Sequence, residues 1–300
     1  MSISHYIKDI GRGREGARAL ARAQAADLMG QILDGQVSDL ELGAFCIAMR
    51  IKGETDQEMA GFLDATHARL QRVETSGPVV VLPSYNGARK LPVLTPLLAH
   101  LLAREGVAVV MHGTPTESSR VTSQAVLSAM GMNFSRPEQS VQSGEVVFVA
   151  TEALSTGLQR LLDVRRVIGL RNPGHSLVKL MNPTANHEAL LVSSYTHPEY
   201  AISMTATLEL TGARALLLRG TEGEVVADPR RTPQMDAFVG GKRTPLVDAQ
   251  TGSLIKLPEL PTEIDATSTA RYTQAVLSGE LPVPAPLAIQ VQAVLKALRF

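Results

Sequence analysis

The 300-residue chain holds one cysteine and no tryptophan, with only five tyrosines and six phenylalanines. One cysteine excludes an intrachain disulfide and any zinc site built from several thiolates. So few aromatic rings make base stacking a weak source of attraction for a nucleic acid. Long apolar runs are missing as well. The longest, such as Val79–Leu82 and Val107–Met111, fall far short of the ~20 residues that a membrane span requires. Met1–Asp9 lacks the apolar stretch of a secretory signal, so a cytoplasmic location without membrane attachment is expected. Net charge is also lacking: 29 Lys+Arg face 29 Asp+Glu, a balance that taken alone argues against a nucleic-acid partner. A hydrophobic share of 44% and a charged share of 19% rule out a disordered chain, and the length suits one to three domains.

What is present begins with helices. The stretch Arg14–Leu33 is rich in helix formers. Ser38 with Glu41, and Thr55 with Glu58, have capping-box spacing and open two further helices. Leu40, Ala44, Ile47, Ala48 and Ile51 follow helical spacing, which predicts the buried face of the second of these helices. From Val79 the pattern changes. Val79–Leu82, Val107–Met111, Val146–Ala150, Ala189–Ser193 and Arg214–Leu218 read as buried strands that alternate with helices, which implies a parallel or mixed sheet. Residues 222–262 read as a loop or a short antiparallel ribbon. The fold class is therefore α/β: a small N-terminal helical domain over 1–75, with a helical insert at about 157–187 folding back onto it, and a larger α/β domain over 76–156 and 188–300.

Two loops follow strands at their carboxyl ends, where α/β sheets bind ligands. The first carries Ser84, Asn86, Gly87, Arg89 and Lys90; the second carries His112 and leads to Arg120. Together they form a candidate phosphate or ligand crevice, since a turn at Asn86-Gly87 would present backbone N–H groups to an anion. Three arginines, Arg165, Arg166 and Arg171, fall within seven residues and Lys179 follows, while Lys8, Arg12, Arg14, Arg18 and Arg22 are basic near the start of the chain. Arg14, Arg18 and Arg22 would share one helix face and could track a phosphate backbone, or simply face solvent. Cys46 reads as core. Glu222 and Glu224, flanking Gly223, read as turn residues. His175, His187 and His197 are too scattered for a metal site.

In this order the segments resemble the anthranilate phosphoribosyltransferase family. The likeness rests on Gly43, the Lys52-Gly53-Glu54-Thr55 turn, Val164–Arg171 running on to Asn182-Pro183, His197-Pro198-Glu199 and Gly212–Leu216. It implies a nucleoside-phosphorylase-like fold of a helical and an α/β domain, usually homodimeric. The departures are concentrated in the chemistry. The family's Gly-Thr-Gly-Gly-Asp diphosphate loop is Ser84-Tyr85-Asn86-Gly87-Ala88 here, its Lys-His-Gly-Asn-Arg loop is Met111–Pro115, its Mg²⁺-holding Asp-Glu pair falls near Val225-Val226, and one of its asparagines becomes His175. These replacements resemble a divergent YbiB-type, or second TrpD-like, branch, for which Pro83–Lys90, Glu41–Gly43, Arg50–Glu54 and Gly220–Val225 are characteristic.

That branch implies sequence-independent binding of nucleic acid (DNA, with RNA open) by a homodimer. The contacts would come from Lys8, Arg12, Arg14, Arg18, Arg22, Arg165, Arg166, Arg171 and Lys179. No catalytic residue, cofactor or metal is expected, and the missing motifs speak against anthranilate phosphoribosyltransferase activity. Two alternatives stay open: a glycosyl or phosphoribosyl transferase acting on another acceptor, and a sensor with a phosphorylated small molecule in the interdomain crevice.

Overall fold

Two capping boxes frame the N-terminal bundle of the computed structural model, which describes residues 2–132, 134, 137, 140–254 and 257–300, the side chain of Arg14 excepted. Ser38 Oγ accepts the Glu41 N–H while the Glu41 carboxylate accepts the Ser38 N–H, which starts α4 (Asp39–Lys52) after α1 (Ser4–Ile10), α2 (Gly13–Gly16) and α3 (Arg22–Leu33). Thr55 and Glu58 do the same for α5 (Asp56–His67). Glu58 does more than cap. Its side chain is fully buried and also accepts the Leu20 N–H at 2.9 Å and the Lys52 ammonium at 2.5 Å. One carboxylate thus ties α5 to the end of α4 and to the chain before α3.

That tie corrects one expectation. Residues 17–21 are not helical, because Ala17 turns extended (φ −66°, ψ 140°) and Leu20 is held by Glu58. Arg14, Arg18 and Arg22 therefore do not share a helix face. A second correction concerns α4, which buries Leu42, Phe45, Cys46, Ala48 and Met49. Of the face predicted from spacing, Leu40 is 84% exposed, and Ile47 and Ile51 are exposed as well. The helix is apolar nearly all round, and the larger Phe45 and Met49 side chains fill the bundle core instead.

The remainder alternates: β1 (Val79–Pro83), α6 (Thr95–Arg104), β2 (Ala108–Gly113), α7 (Ser123–Ala129), β3 (Val146–Ala150), then α8 (Thr151–Leu154), α9 (Thr156–Ile168) and α10 (Gly174–Leu177), then β4 (Leu190–Tyr195), α11 (Pro198–Thr211), β5 (Ala215–Arg219), the hairpin β6 (Met235–Val239) and β7 (Lys242–Val247), and finally α12 (Ala266–Ser278) and α13 (Ala285–Ala297). The seven strands lie in the order β3-β2-β1-β4-β5-β6-β7; the first five are parallel and the last two join antiparallel.

Side-chain alternation along the strands decides what each face covers. Val79 and Val81 of β1, with Ala108, Val110, Leu191 and Leu217, join an apolar cluster that continues through Leu158, Leu161 and Leu162 of α9 to Phe45 and Phe62 of the bundle. Val80 and Leu82, with Val109, Met111, Leu190 and Leu216, pack on the other face against α6 and α13. The bundle and one sheet face thus share a single core. Helix α9 joins them closely: a Cβ at Gly157 would meet the Leu33 carbonyl oxygen at 2.0 Å, so only glycine fits there.

Removing a buried charge that other charged and polar groups rely on costs about 3–5 kcal/mol. Glu58→Ala is therefore expected to destabilise the fold by that amount, with Glu58→Gln losing less. Urea denaturation of the two variants against the parent checks both the size and the order.

Candidate functional site

The loop after β1 converges its N–H groups on one place, and that place is filled by the chain itself. The Glu224 carboxylate, 1% exposed, accepts the N–H groups of Asn86 (2.8 Å) and Gly87 (2.9 Å) on Oε1. Its Oε2 accepts the hydroxyls of Ser84 (2.5 Å), Thr95 (3.0 Å) and Ser123 (3.4 Å). Glu222 sits beside it and accepts the N–H groups of Arg89 (3.3 Å), Lys90 (2.9 Å) and Leu91 (3.1 Å), with the Arg120 guanidinium 3.6 Å away. Read from sequence as turn residues, these two glutamates are the anions of the cradle.

The turn that delivers them is tightly specified. Glu222 has φ +52°, the one left-handed non-glycine among the described residues. A Cβ on Gly223 would meet the Asn86 amide nitrogen at 1.9 Å, so the close approach demands glycine. The Asn86 amide also donates to the Glu222 carbonyl. Asn86-Gly87 was recognisable as an anion-binding turn; its occupant was not, because Glu224 lies 138 residues further along.

Of the crevice residues expected from sequence, Ser84, Asn86, Gly87, Arg89, Lys90 and Arg120 meet around a filled pocket, whereas His112 bonds to Tyr85 instead. Ser84, Asn86 and His112 are buried, and the side chains of Arg89 and Lys90 turn to solvent while their backbone holds Glu222. His112 is fully buried; its Nδ1 lies 2.8 Å from the Tyr85 hydroxyl, which in turn accepts from Thr151. Arg120 is paired with Glu117, which also binds Arg165.

Open space lies on the other side of that turn. A cavity of about 540 Å³ separates α4, α5 and α11 from the segment around α10, lined by Arg50, Glu54, Arg171, His175, Lys179 and Tyr200 among others. Its electrostatics are cationic. Arg50 and Arg171 form no ion pair among the described residues. Burial, then repulsion from Arg165 and Arg120, disfavours the charge on Arg171. Burial brings the Lys179 ammonium down to about 8. Desolvation holds His175 at about 3, and its Nε2 has no hydrogen-bond partner among the described residues. The same burial raises the Glu54 carboxyl, and a second acid, the exposed Glu199, also lines the cavity. Lys179 Nζ donates to the Gly223 carbonyl at 2.9 Å and Ser194 Oγ to the same oxygen at 3.0 Å, so the cavity's back wall is the glutamate turn.

Of the other basic residues singled out from sequence, Arg12 pairs with Asp9, Arg22 with Asp64 and Arg166 with Asp163. Lys8 and Arg18 are exposed and unpaired among the described residues. The side chain of Arg14 lies outside the described part. Arg50 was not foreseen; its position in the Arg50–Glu54 motif was the available signal.

The magnesium site that the resemblance implies does not fit these residues. Val225 and Val226 are buried in the apolar core behind the turn, and the adjacent carboxylates are already satisfied by N–H and O–H donors. No group of three His, Cys, Asp or Glu residues suited to a metal ion occurs among the described residues. No helix is long and apolar enough to cross a membrane, again among the described residues.

Residues 4–69 match the family model for the helical bundle domain of a glycosyl transferase family. The chain is 39% identical to the uncharacterized protein YbiB of Escherichia coli (strain K12), over 99% of this chain and 94% of that one. It is 31% identical to the anthranilate phosphoribosyltransferase of Symbiobacterium thermophilum, over 91% of this chain and 81% of the relative. Its fold superposes on the anthranilate phosphoribosyltransferase of Thermus thermophilus with a TM-score of 0.72 at 24% identity, covering 95% of this chain and 85% of that one. The Saccharomyces cerevisiae enzyme in complex with PRPP and Mg gives the same TM-score at 16% identity, covering 99% and 88%.

Burial lowers the pKa of His67 to about 4 and of His112 and His175 to about 3. The unfolded chain takes up protons that these sites refuse, so their contribution is complete above the ordinary value of 6.5 and is lost as pH falls toward the folded values. Each site is expected to remove about 1.4 kcal/mol of stability per pH unit within that window. Urea midpoints measured from neutral pH down to about pH 4.5 check this, and His112→Gln should flatten the dependence.

Proposed function

Since the chain belongs to the anthranilate phosphoribosyltransferase-like family, we propose that it keeps the family fold but binds nucleic acid, DNA first, as a homodimer and without reading sequence. The observation that carries this reading is the charge arrangement of the interdomain cleft. Its diphosphate loop is closed by Glu222 and Glu224, while Arg50, Arg171 and Lys179 line a cavity in which they outnumber the two acids, Glu54 and the exposed Glu199. Clustered unpaired cations attract phosphates through counterion release, a force indifferent to base identity. Lys8 and Arg18 extend the set of free cations on the bundle.

The dimer contact in this reading is the exposed apolar side of α4, with Leu40, Ile47 and Ile51, joined by Val167 of α9 and by Leu170 just after it. The two helices are tied near their starts by the Asp39–Arg160 ion pair, and Arg50 of α4 and Arg171, just past the end of α9, line the same cavity. An apolar patch rimmed by charge is the usual character of a protein–protein contact. Substituting Ile51→Asp and Leu40→Asp should shift the protein to monomer in sedimentation equilibrium; a parent that is itself monomeric would remove the dimer from the proposal.

Binding is tested by fluorescence anisotropy with labelled single- and double-stranded DNA, and RNA, across salt. The parent should bind at low salt and lose affinity steeply as salt rises. Arg50→Ala and Arg171→Ala should each lower the log–log salt slope by about 1, whereas the paired Arg22→Ala should leave it unchanged. No anisotropy change at low salt overturns the reading. Release of diphosphate from phosphoribosyl diphosphate above a no-protein control would replace it with transfer to an unidentified acceptor.

A further inference from the structure

We propose that the cradle of the β1 loop is a two-lobed anion site that is permanently self-occupied, Glu222 and Glu224 standing in for a bound dianion, and that removing the Glu222 carboxylate alone turns one lobe into a binding site for inorganic phosphate. The proposal stands whether or not the chain binds nucleic acid.

The donors fall into two adjoining lobes. One gathers the N–H groups of Asn86 and Gly87 and the hydroxyls of Ser84, Thr95 and Ser123 around Glu224. The other gathers the N–H groups of Arg89, Lys90 and Leu91, with the Arg120 guanidinium beside them, around Glu222. Successive backbone N–H groups pointing at one spot form a nest that suits an anionic oxygen of any parentage. The carboxylates that these donors converge on both come from the chain's own Glu222–Glu224 turn, while the donors come from elsewhere in the fold; Ser84 and Ser123 also bond to each other, and Arg120 also pairs with Glu117. The turn therefore relates to the cradle as a ligand does to a site. Its backbone is bent to reach it: Glu222 takes φ +52°, and Gly223 passes where no side chain fits. The two lobes differ in access. Glu224 is sealed in, whereas the Glu222 side chain is 15% exposed, so the outer lobe can exchange its occupant with solvent.

Glu222→Gly tests this without threatening the fold, because glycine adopts the left-handed conformation freely. In amide NMR spectra of the variant, inorganic phosphate should shift the Arg89, Lys90 and Leu91 signals in a saturable way. The parent, its lobe filled, should show no such shifts at the same phosphate concentrations. In parallel, phosphate should raise the melting temperature of the variant by several degrees more than that of the parent. Absence of variant-specific shifts overturns the proposal, as does an equal response in both proteins. Glu222→Gly/Arg120→Ala supplies a second reading: losing the guanidinium should weaken the new phosphate site severalfold, and unchanged affinity would show that the phosphate binds elsewhere.

Discussion

A carboxylate sealed inside a protein must be met by donors, and the Glu224 side chain imposes that requirement on the whole upper edge of the sheet. An isolated buried charge would neutralise or unfold its surroundings, so its stability depends on hydrogen bonds arriving from several directions. Here they come from the β1 loop, from Thr95 at the start of α6 and from Ser123 at the start of α7. The parallel strands place those elements side by side at their carboxyl ends. The same topology that makes ligand sites in α/β proteins therefore makes this internal one. The turn carrying Glu224 is fixed in its turn by Asn86 on one side and by Lys179 and Ser194 on the other. Closing the cradle and shaping the cleft are consequences of one interaction.

The balance of 29 basic and 29 acidic residues hides how the charges are used. Acids in the bundle are largely engaged locally: Asp64 holds Arg22, Asp34 holds Arg69, and Asp39 holds Arg160. Exposed pairs of this kind add little stability, but they do cancel charge where they sit. The cations left over are not scattered evenly, since Arg50 and Arg171 border the same cavity as Lys179. Neutrality overall and a cationic cleft are compatible because pairing is spatial.

Local signals were legible and long-range ones were not. The two capping boxes, the five parallel strands and the Asn86-Gly87 turn all depend on residues within a few positions of each other. The missed features depend on partners far along the chain. Leu20 is pulled out of a helix by Glu58, 38 positions away, which breaks the supposed arginine stripe. In α4 both faces are apolar, so spacing alone cannot say which one meets the core; Phe45 and Met49 decide it by size. The glutamates at 222 and 224 look like solvent-facing turn residues until the sheet order places β5 and its following turn within reach of β1, with β4 between them.

If the glutamate pair occupies the place of a diffusible dianion, as proposed, that has a consequence for what this fold can do. A transferase of this architecture needs its diphosphate loop vacant in the free state and needs a cation to organise the ligand's charge. Glu224 supplies negative charge to the loop directly, and valines occupy the positions where metal-binding carboxylates would stand. Neither change requires any shift of the sheet, the bundle or the segment between them, because the donors keep an anion of the right charge at the right place. On the proposed reading, the fold can forgo that chemistry without losing its stability. What remains accessible is the cleft on the far side of the turn, and there Arg50, Arg171 and Lys179 outnumber Glu54 and Glu199. On the proposed reading, selection acts on that cleft and on the bundle surface, while the old diphosphate loop serves as the anchor that keeps their geometry fixed.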